Sequence, residues 1–229
     1  MKKEFEMTDL REMKYFLGIE INQGAEGIHI CQRKYAEDIL ARFGMTECNG
    51  VKNPMVPGNK LSKQEGREAD STLFKQMVGS LMYITATRLD LMYGVCLISR
   101  FMSKPMEIHM LTANRILRYI RHTTKLRIFY KKESKNELTA YTDSDYAGDN
   151  TDFKSTSGYT CMMNGGAVTW MSKKQPIVTL SSIEAEYVAA ATCACQCVWM
   201  RAILKQIGED DSKPITVLCD NSSSVSWKD

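Results

Sequence analysis

Apolar and polar residues alternate in some stretches of this chain and recur every three or four residues in others, and the two periods separate expected strands from expected helices. Residues 13–22 read as a strand, the turn-rich Gln23-Gly24-Ala25-Glu26-Gly27 follows, and residues 28–32 return as apolar strand, which predicts a hairpin. Tyr35, Ile39, Leu40 and Phe43 lie at helical spacing, so a helix is expected over 33–43 with Gly44 as its stop. Residues 49–70 hold Pro54, Pro57, Gly58 and Gly66 without periodicity and read as a linker or long loop. Three helices follow, over 72–87, 90–103 and 107–122, with Pro105 and polar residues at the breaks. Leu138, Ala140 and Thr142 then alternate with Thr139, Tyr141 and Asp143, the pattern of a half-buried strand. Two more strands, 157–164 and 167–172, flank Asn164-Gly165-Gly166 and complete a three-stranded antiparallel meander. Ser181 opens a long helix that runs to about Gly208, and a short strand over 215–218 ends in Cys219-Asp220-Asn221.

With 44% apolar and 25% charged residues, 229 residues suffice for one large domain or two small ones. No apolar run approaches the ~20 residues of a membrane span, which argues against a membrane protein. The net charge of +3 is too small to prove a nucleic-acid partner, so the distribution of charge has to carry that argument. Between positions 111 and 135 stand eight basic residues, Arg115, Arg118, Arg121, Lys125, Arg127, Lys131, Lys132 and Lys135, against the single acid Glu133. A solvated helix face explains them, and so does a phosphate-tracking surface, which gains weight because the run leads straight into the acidic strand. The N-terminus lacks the apolar core of a signal peptide, and the 8 cysteines show no zinc-finger pairing, so reduced thiols and an intracellular setting are expected. Cys193, Cys195 and Cys197 invite a zinc or redox reading. Alternate helix residues point to different sides, however, so only Cys193 and Cys197 could share a metal, and burial of small residues explains all three.

The candidate chemistry lies in the acids. Asp143 and Asp145 share one face of their strand, and carboxylates held together repel unless a cation or proton neutralises them. A polar strand end is the plainer alternative. On the long helix, Glu184 suits the capping box opened by Ser181, while Glu186 falls toward the apolar side beside Ile183 and Ala190 and suits a site. Asp220 adds a further acid at a strand end.

Tyr141-Thr142-Asp143-Ser144-Asp145-Tyr146-Ala147-Gly148-Asp149, Ser155-Thr156-Ser157-Gly158-Tyr159, Ser172-Lys173-Lys174-Gln175, Leu180-Ser181-Ser182-Ile183-Glu184-Ala185-Glu186-Tyr187 and Cys219-Asp220-Asn221 resemble, in order, the ribonuclease H region of copia-type retrotransposon polyproteins. Upstream, Phe16-Leu17-Gly18-Ile19-Glu20-Ile21, Val78-Gly79-Ser80-Leu81-Met82-Tyr83 and Arg115-Ile116-Leu117-Arg118-Tyr119 resemble the end of the same family's reverse transcriptase and its helical connection. The resemblance implies an α/β (α+β) fold in three parts: a reverse transcriptase remnant of hairpin and helix over 1–58, a helical tether over 59–133, and a ribonuclease H-like mixed sheet with flanking helices over 134–229. It places the family's metal-binding and catalytic acids on Asp143, Glu186 and Asp220. Two Mg²⁺ ions ~3.5–4 Å apart, for which Mn²⁺ can substitute, would grip the scissile phosphate of RNA paired with DNA. Arg115, Arg118, Lys154, Lys173 and Lys174 become candidate contacts to the hybrid duplex, read by shape and phosphates rather than base edges. The expected partners are that duplex and the remainder of the Pol polyprotein, in the cytoplasm or a virus-like particle.

Departures from the family pattern set further expectations. The polymerase's paired aspartates lie upstream of the segment matched by Phe5-Glu6-Met7-Thr8-Asp9-Leu10, and the family's fourth metal-binding acid lies past Asp229. Polymerisation is therefore not expected, and cleavage by the chain as given is expected to be weak, or absent if this is a nucleic-acid-binding remnant. Arg11 and Leu89 stand where the family usually has Gly and Pro.

Overall fold

The computed structural model describes residues 12–58, 61, 66–132, 137–149, 151–208 and 214–220. Phe5 to Leu10, Glu133, Lys135 and Asn221 lie outside them. Among the described residues the chain is mixed α/β, with five α-helices and two four-stranded sheets.

In the first sheet, β1 (Tyr15–Phe16), β2 (Ile19–Gln23), β3 (Gly27–Cys31) and β4 (Ile128–Lys131) follow one another antiparallel. The expected strand over 13–22 is two strands. Leu17 and Gly18, at φ 45° and 76°, both take the left-handed conformation, and Phe16 pairs with Ile19 across this two-residue turn. Nor does the hairpin stand alone, because β4 arrives from a hundred residues downstream to pair Ile28 with Tyr130. Gly27 permits the approach, since a Cβ there would lie 2.0 Å from the Tyr130 carbonyl oxygen.

Helix α1 (Arg33–Arg42) packs with α2 (Ser71–Ile84), α3 (Met92–Ser99) and α4 (Glu107–His122) around one core, in which Ile39, Phe74, Leu81, Leu91, Ile98, Ile116, Leu117 and Ile120 are fully buried. Burying a side chain of this size stabilises by about 1.5–3 kcal/mol, so the apolar stripes of α2 and α4 form their helices by tertiary contact more than by propensity. Asp70 caps α2 by accepting from the N–H groups of Thr72 and Leu73 at 2.8 and 3.1 Å. Helix α4 has the expected bounds. The second expected helix is shorter, entered by a 3-10 turn (Leu89–Leu91) and followed by turns over 100–103 before Pro105.

The second sheet has the strand order β7-β6-β5-β8. β5 (Thr139–Asp145), β6 (Thr156–Met163) and β7 (Gly166–Lys174) form the expected meander, and β8 (Thr216–Cys219) lies parallel to β5, pairing Thr142 with Cys219. Helix α5 (Ser182–Gln206) covers one face. Its Ala185, Ala189, Cys193 and Cys197 recur every four residues as a buried stripe, of which Cys193 and Cys197 pack over Ala140 and Cys161. At 25 residues, with a mean hydropathy of 1.3 over its most apolar 18, α5 is long and apolar enough by composition to cross a membrane, contrary to the expectation from runs of large apolar residues. Its hydropathy is shared between Ala and Cys and the larger Val188, Val198, Met200, Ile203 and Leu204, and one stripe of the small residues lies against the sheet.

Side chains join the helical core and the first sheet to the second sheet. Trp170 Nε1 donates to the Thr85 carbonyl at 3.0 Å, Arg100 donates to Thr156 Oγ1 at 3.0 Å, and the Tyr130 hydroxyl donates to the Ala167 carbonyl at 2.5 Å.

Candidate metal centre

The centre begins at the first turn of α5. Ser181 Oγ accepts from the Glu184 N–H at 3.2 Å, and Glu184 Oε2 accepts from the Leu180 N–H at 2.6 Å, one residue before the donor that a standard capping box would use. With Glu184 committed to the cap, Glu186 turns under the helix toward the sheet and is only 6% exposed. Its Oε2 accepts from the Cys219 thiol at 3.4 Å. One ligand atom each from Glu186, Cys219 and Asp220 lies within 4.8 Å of the other two.

Burial raises the Glu186 pKa above its ordinary value; the Cys219 hydrogen bond opposes that, and the charges of Asp143 and Asp220 raise it further. Among the described residues no basic side chain pairs with Glu186. A buried carboxylate that feels the charge of two others, with no cationic partner among the described residues, is the environment that a bound cation relieves. Ser144 Oγ is buried without a hydrogen-bond partner, while the Ser144 backbone N–H helps to hold the Glu186 charge and donates to Asp143 Oδ1 at 2.7 Å. The donor set fits a divalent cation. Glu186 and Asp220 could offer it oxygen donors, Asp220 from an exposed strand end, whereas Asp143, also exposed, lies outside the cluster.

The structure thus brings Glu186, Cys219 and Asp220 together, while Asp143 stays outside that cluster and acts on Glu186 through its charge. Tyr141, Asp143 and Asp145 occupy the strand face turned away from Ala140 and Thr142, and they line a groove of about 370 Å³ together with Tyr93 of α3 and Trp170 of β7. Asp145 is directed to that groove, where its Oδ2 accepts from the Tyr93 hydroxyl at 3.4 Å. Gly148 makes room for it, since a Cβ there would fall 1.9 Å from Asp145 Oδ2. Asp149 pairs with Lys174 at 2.6 Å and Arg100 at 3.7 Å. None of Asp143, Asp145 and Asp149 belongs to the Glu186 cluster, and of the three expected metal-binding acids only Glu186 and Asp220 lie in it.

The five basic candidates have diverse surroundings. Lys173 is exposed. Lys174 is held between Asp149 and Asp152, and Lys154 Nζ donates to the Pro176 carbonyl at 2.7 Å. Arg118 Nε donates to the Asn49 carbonyl at 2.7 Å, as Arg121 does to Thr46 at 2.6 Å, so two arginines of the α4 stripe pin the loop after α1. Arg115 Nε is buried without a hydrogen-bond partner. Of the clustered cysteines, Cys193 and Cys197 are buried against Cys161 and Cys195 is exposed. Hydrogen bonding to Cys161 and then burial push the Cys193 thiol pKa far up, which marks it as an unreactive core residue. Cys219 is the contributor that residue-by-residue reading missed. Its signal was the parallel register Thr142–Cys219, which sets its side chain on the α5 face, and pairing of that kind is not visible along the chain.

These features define a mixed α/β protein with an acidic candidate cation centre on its second sheet. Residues 1–57 match the family model of reverse transcriptase (RNA-dependent DNA polymerase), a stretch that ends before any of the acids above. The chain is 40% identical over 222 residues to the retrovirus-related Pol polyprotein from transposon RE1 of Arabidopsis thaliana, covering 96% of this chain and 15% of that one. It is 35% identical over 235 residues to the corresponding polyprotein from transposon TNT 1-94 of Nicotiana tabacum, covering 98% and 18%. An uncharacterised mitochondrial protein of Arabidopsis thaliana is 34% identical over 202 residues, which cover 88% of this chain and 84% of that protein. The chain belongs to the copia-type retrotransposon Pol polyprotein family, and it includes part of the reverse transcriptase region. It spans only 15% of the length of the Pol polyproteins from transposons RE1 and RE2. No solved structure matches it.

Proposed function

We propose that residues 134–229 form a ribonuclease H-like unit whose role is the Mg²⁺-dependent endonucleolytic cleavage of RNA in RNA–DNA hybrids, following a reverse transcriptase remnant over 1–58 and a helical tether over 59–133. The observation that carries this reading is Glu186, a buried carboxylate clustered with Asp220, within reach of the charge of Asp143 and without a basic partner among the described residues. The resemblance implies that Asp143, Glu186 and Asp220, at the ends of β5, α5 and β8, serve one site in the family's order along the chain. The meander with a parallel fourth strand and a helix across it supports the fold assignment.

Asp143, Glu186 and Asp220 would hold the ions, with Mn²⁺ able to replace Mg²⁺. When bound, the ions lower the pKa of an attacking water and offset charge on the leaving 3′ oxygen. The protein's part is orientation. The capped first turn fixes Glu186 in one rotamer space, β5 fixes Asp143, and the Ser144 N–H withdraws charge from both. Lys173, exposed at the end of β7, is the best placed of the basic candidates to meet a phosphate, because Lys174 already has two carboxylates.

The test is cleavage of a labelled RNA–DNA hybrid in Mg²⁺ and in chelator by the wild type, Asp143→Asn and Glu186→Gln. Mg²⁺-dependent cutting of the RNA strand that both variants lose supports the reading. Cutting that survives both substitutions, or hybrid binding with neither Mg²⁺-dependent cutting, however slow, nor a Mg²⁺-dependent rise in melting temperature, overturns it.

A further inference from the structure

Cys219 is unnecessary to a site for Mg²⁺, which takes hard oxygen ligands and leaves thiolates to softer metals. Yet its sulfur stands 3.4 Å from Glu186 Oε2, inside the cluster completed by Asp220. A tetrahedral zinc ion, with bonds of ~2.3 Å to sulfur and ~2.0–2.2 Å to oxygen, holds a sulfur and a neighbouring oxygen roughly 3.5–3.7 Å apart. The Cys219–Glu186 separation is a few tenths of an ångström short of such an edge. Asp220, exposed at the strand end, can rotate to provide the third corner, and the fourth is left for water near Ser144 Oγ, buried and without a hydrogen-bond partner. The placement is set by the fold, since the parallel register of β8 on β5 puts Cys219 level with Thr142 beneath the first turn of α5.

We propose that Glu186, Cys219 and Asp220 form a binding site for a thiophilic divalent cation of the zinc class, which competes there with the hard ion. This rests on the reading of the site as a cation centre. On binding, the thiol proton passes to solvent as the sulfur–metal bond forms, and Glu186 exchanges its hydrogen bond from the thiol for a bond to the metal. No oxidant or reductant takes part. The consequence is a reversible block, in which zinc at the centre excludes the ions that cleavage needs.

The experiment titrates the reduced protein with Cd²⁺ alone as the spectroscopic stand-in for zinc and follows the ultraviolet thiolate-to-cadmium charge-transfer band. Cys219→Ser should lower affinity tenfold or more, as loss of a metal-supporting group does. Glu186→Gln should weaken binding while the thiol remains, and Cys195→Ser, which removes an exposed thiol elsewhere on α5, should leave it as in the wild type. Added Mg²⁺ should shift the titration to higher Cd²⁺. A band and affinity unchanged in Cys219→Ser, or a titration indifferent to Mg²⁺, would overturn the proposal. Failure of the nuclease reading looks different: a Cys219-dependent cadmium band without Mg²⁺-dependent cleavage upholds this site and removes that one, and cleavage without the band does the opposite.

Discussion

Lys174 places its ammonium 2.6 Å from Asp149 and 2.8 Å from Asp152, so a cation that the sequence offered to nucleic acid instead ties the end of β7 to the loop after β5. Burial would raise the Asp149 pKa, but the Lys174 hydrogen bond and the Thr151 N–H outweigh it and lower it to about 2. Depression of a carboxylate pKa in the folded state means that the pair stabilises above the unfolded value near ~3.9 and that the contribution fades as pH falls through the folded one. Asp149→Asn should therefore cost on the order of 1–2 kcal/mol at neutral pH, and the difference from wild type should shrink from about pH 4 to pH 2. Urea unfolding midpoints across that range check it. A difference that stays constant down to pH 2 would show that the ion pair is not its source.

The contact between Trp170 and Thr85 yields a second expectation. The indole N–H donates at 3.0 Å to the carbonyl at the C-terminal end of α2, joining the helical core to the second sheet. Trp170→Phe retains a ring but loses the donor, at a cost of about 1 kcal/mol. Calorimetry should show a lower and broader transition, as the two parts unfold less in concert. A transition as sharp as that of wild type would mean that other contacts, such as Arg100 to Thr156, suffice for the coupling.

These two contacts show where sequence reading stops. Helix α4 was legible to the residue because its buried stripe of Thr112, Ala113, Ile116, Leu117 and Ile120 keeps helical spacing over about two and a half turns. The meander was legible because alternation and an Asn-Gly turn reinforce each other, with Asn164 and Gly165 both at positive φ. β4 was not. Its four residues have too little length for a period, and its partner β3 lies about a hundred positions away. The acids at element ends could be picked out singly, and Glu186 could be separated from Glu184 by helical angle. The ion pairs that occupy Lys174, the carbonyls that occupy Arg118 and Arg121, and the thiol beside Glu186 depend on loop paths and strand register, which no local pattern encodes.

Glu184 and Glu186 should fail in opposite ways. Glu184→Ala removes the acceptor for the Leu180 N–H and should cost about 0.5–2 kcal/mol, with little change in Mg²⁺ binding. For Glu186, a folded pKa raised above the unfolded one means that stability is lost as pH rises through this interval and stays lost at neutrality. Glu186→Gln should therefore raise the melting temperature in chelator and abolish the further rise that Mg²⁺ gives the wild type. Melting curves with and without Mg²⁺ that cannot distinguish the two variants would remove the division of labour.

Lys173 and Arg118 provide the sharpest test of how the chain meets a hybrid duplex. Both were candidates on charge alone, but Lys173 is exposed on β7 whereas Arg118 spends its Nε on the Asn49 carbonyl. A side chain that neutralises one phosphate contributes through counterion release, so Lys173→Gln should weaken hybrid binding alike for all sequences and reduce the salt slope by about 1. Arg118→Gln should act on the protein first, loosening the loop after α1 at a cost of about 1 kcal/mol for the lost hydrogen bond. Its effect on affinity should be small in the temperature range where it remains folded. Binding titrations at several salt concentrations, paired with unfolding curves for each variant, separate the two roles. A lower salt slope for Arg118→Gln than for Lys173→Gln would move the phosphate path from the sheet to the α4 stripe.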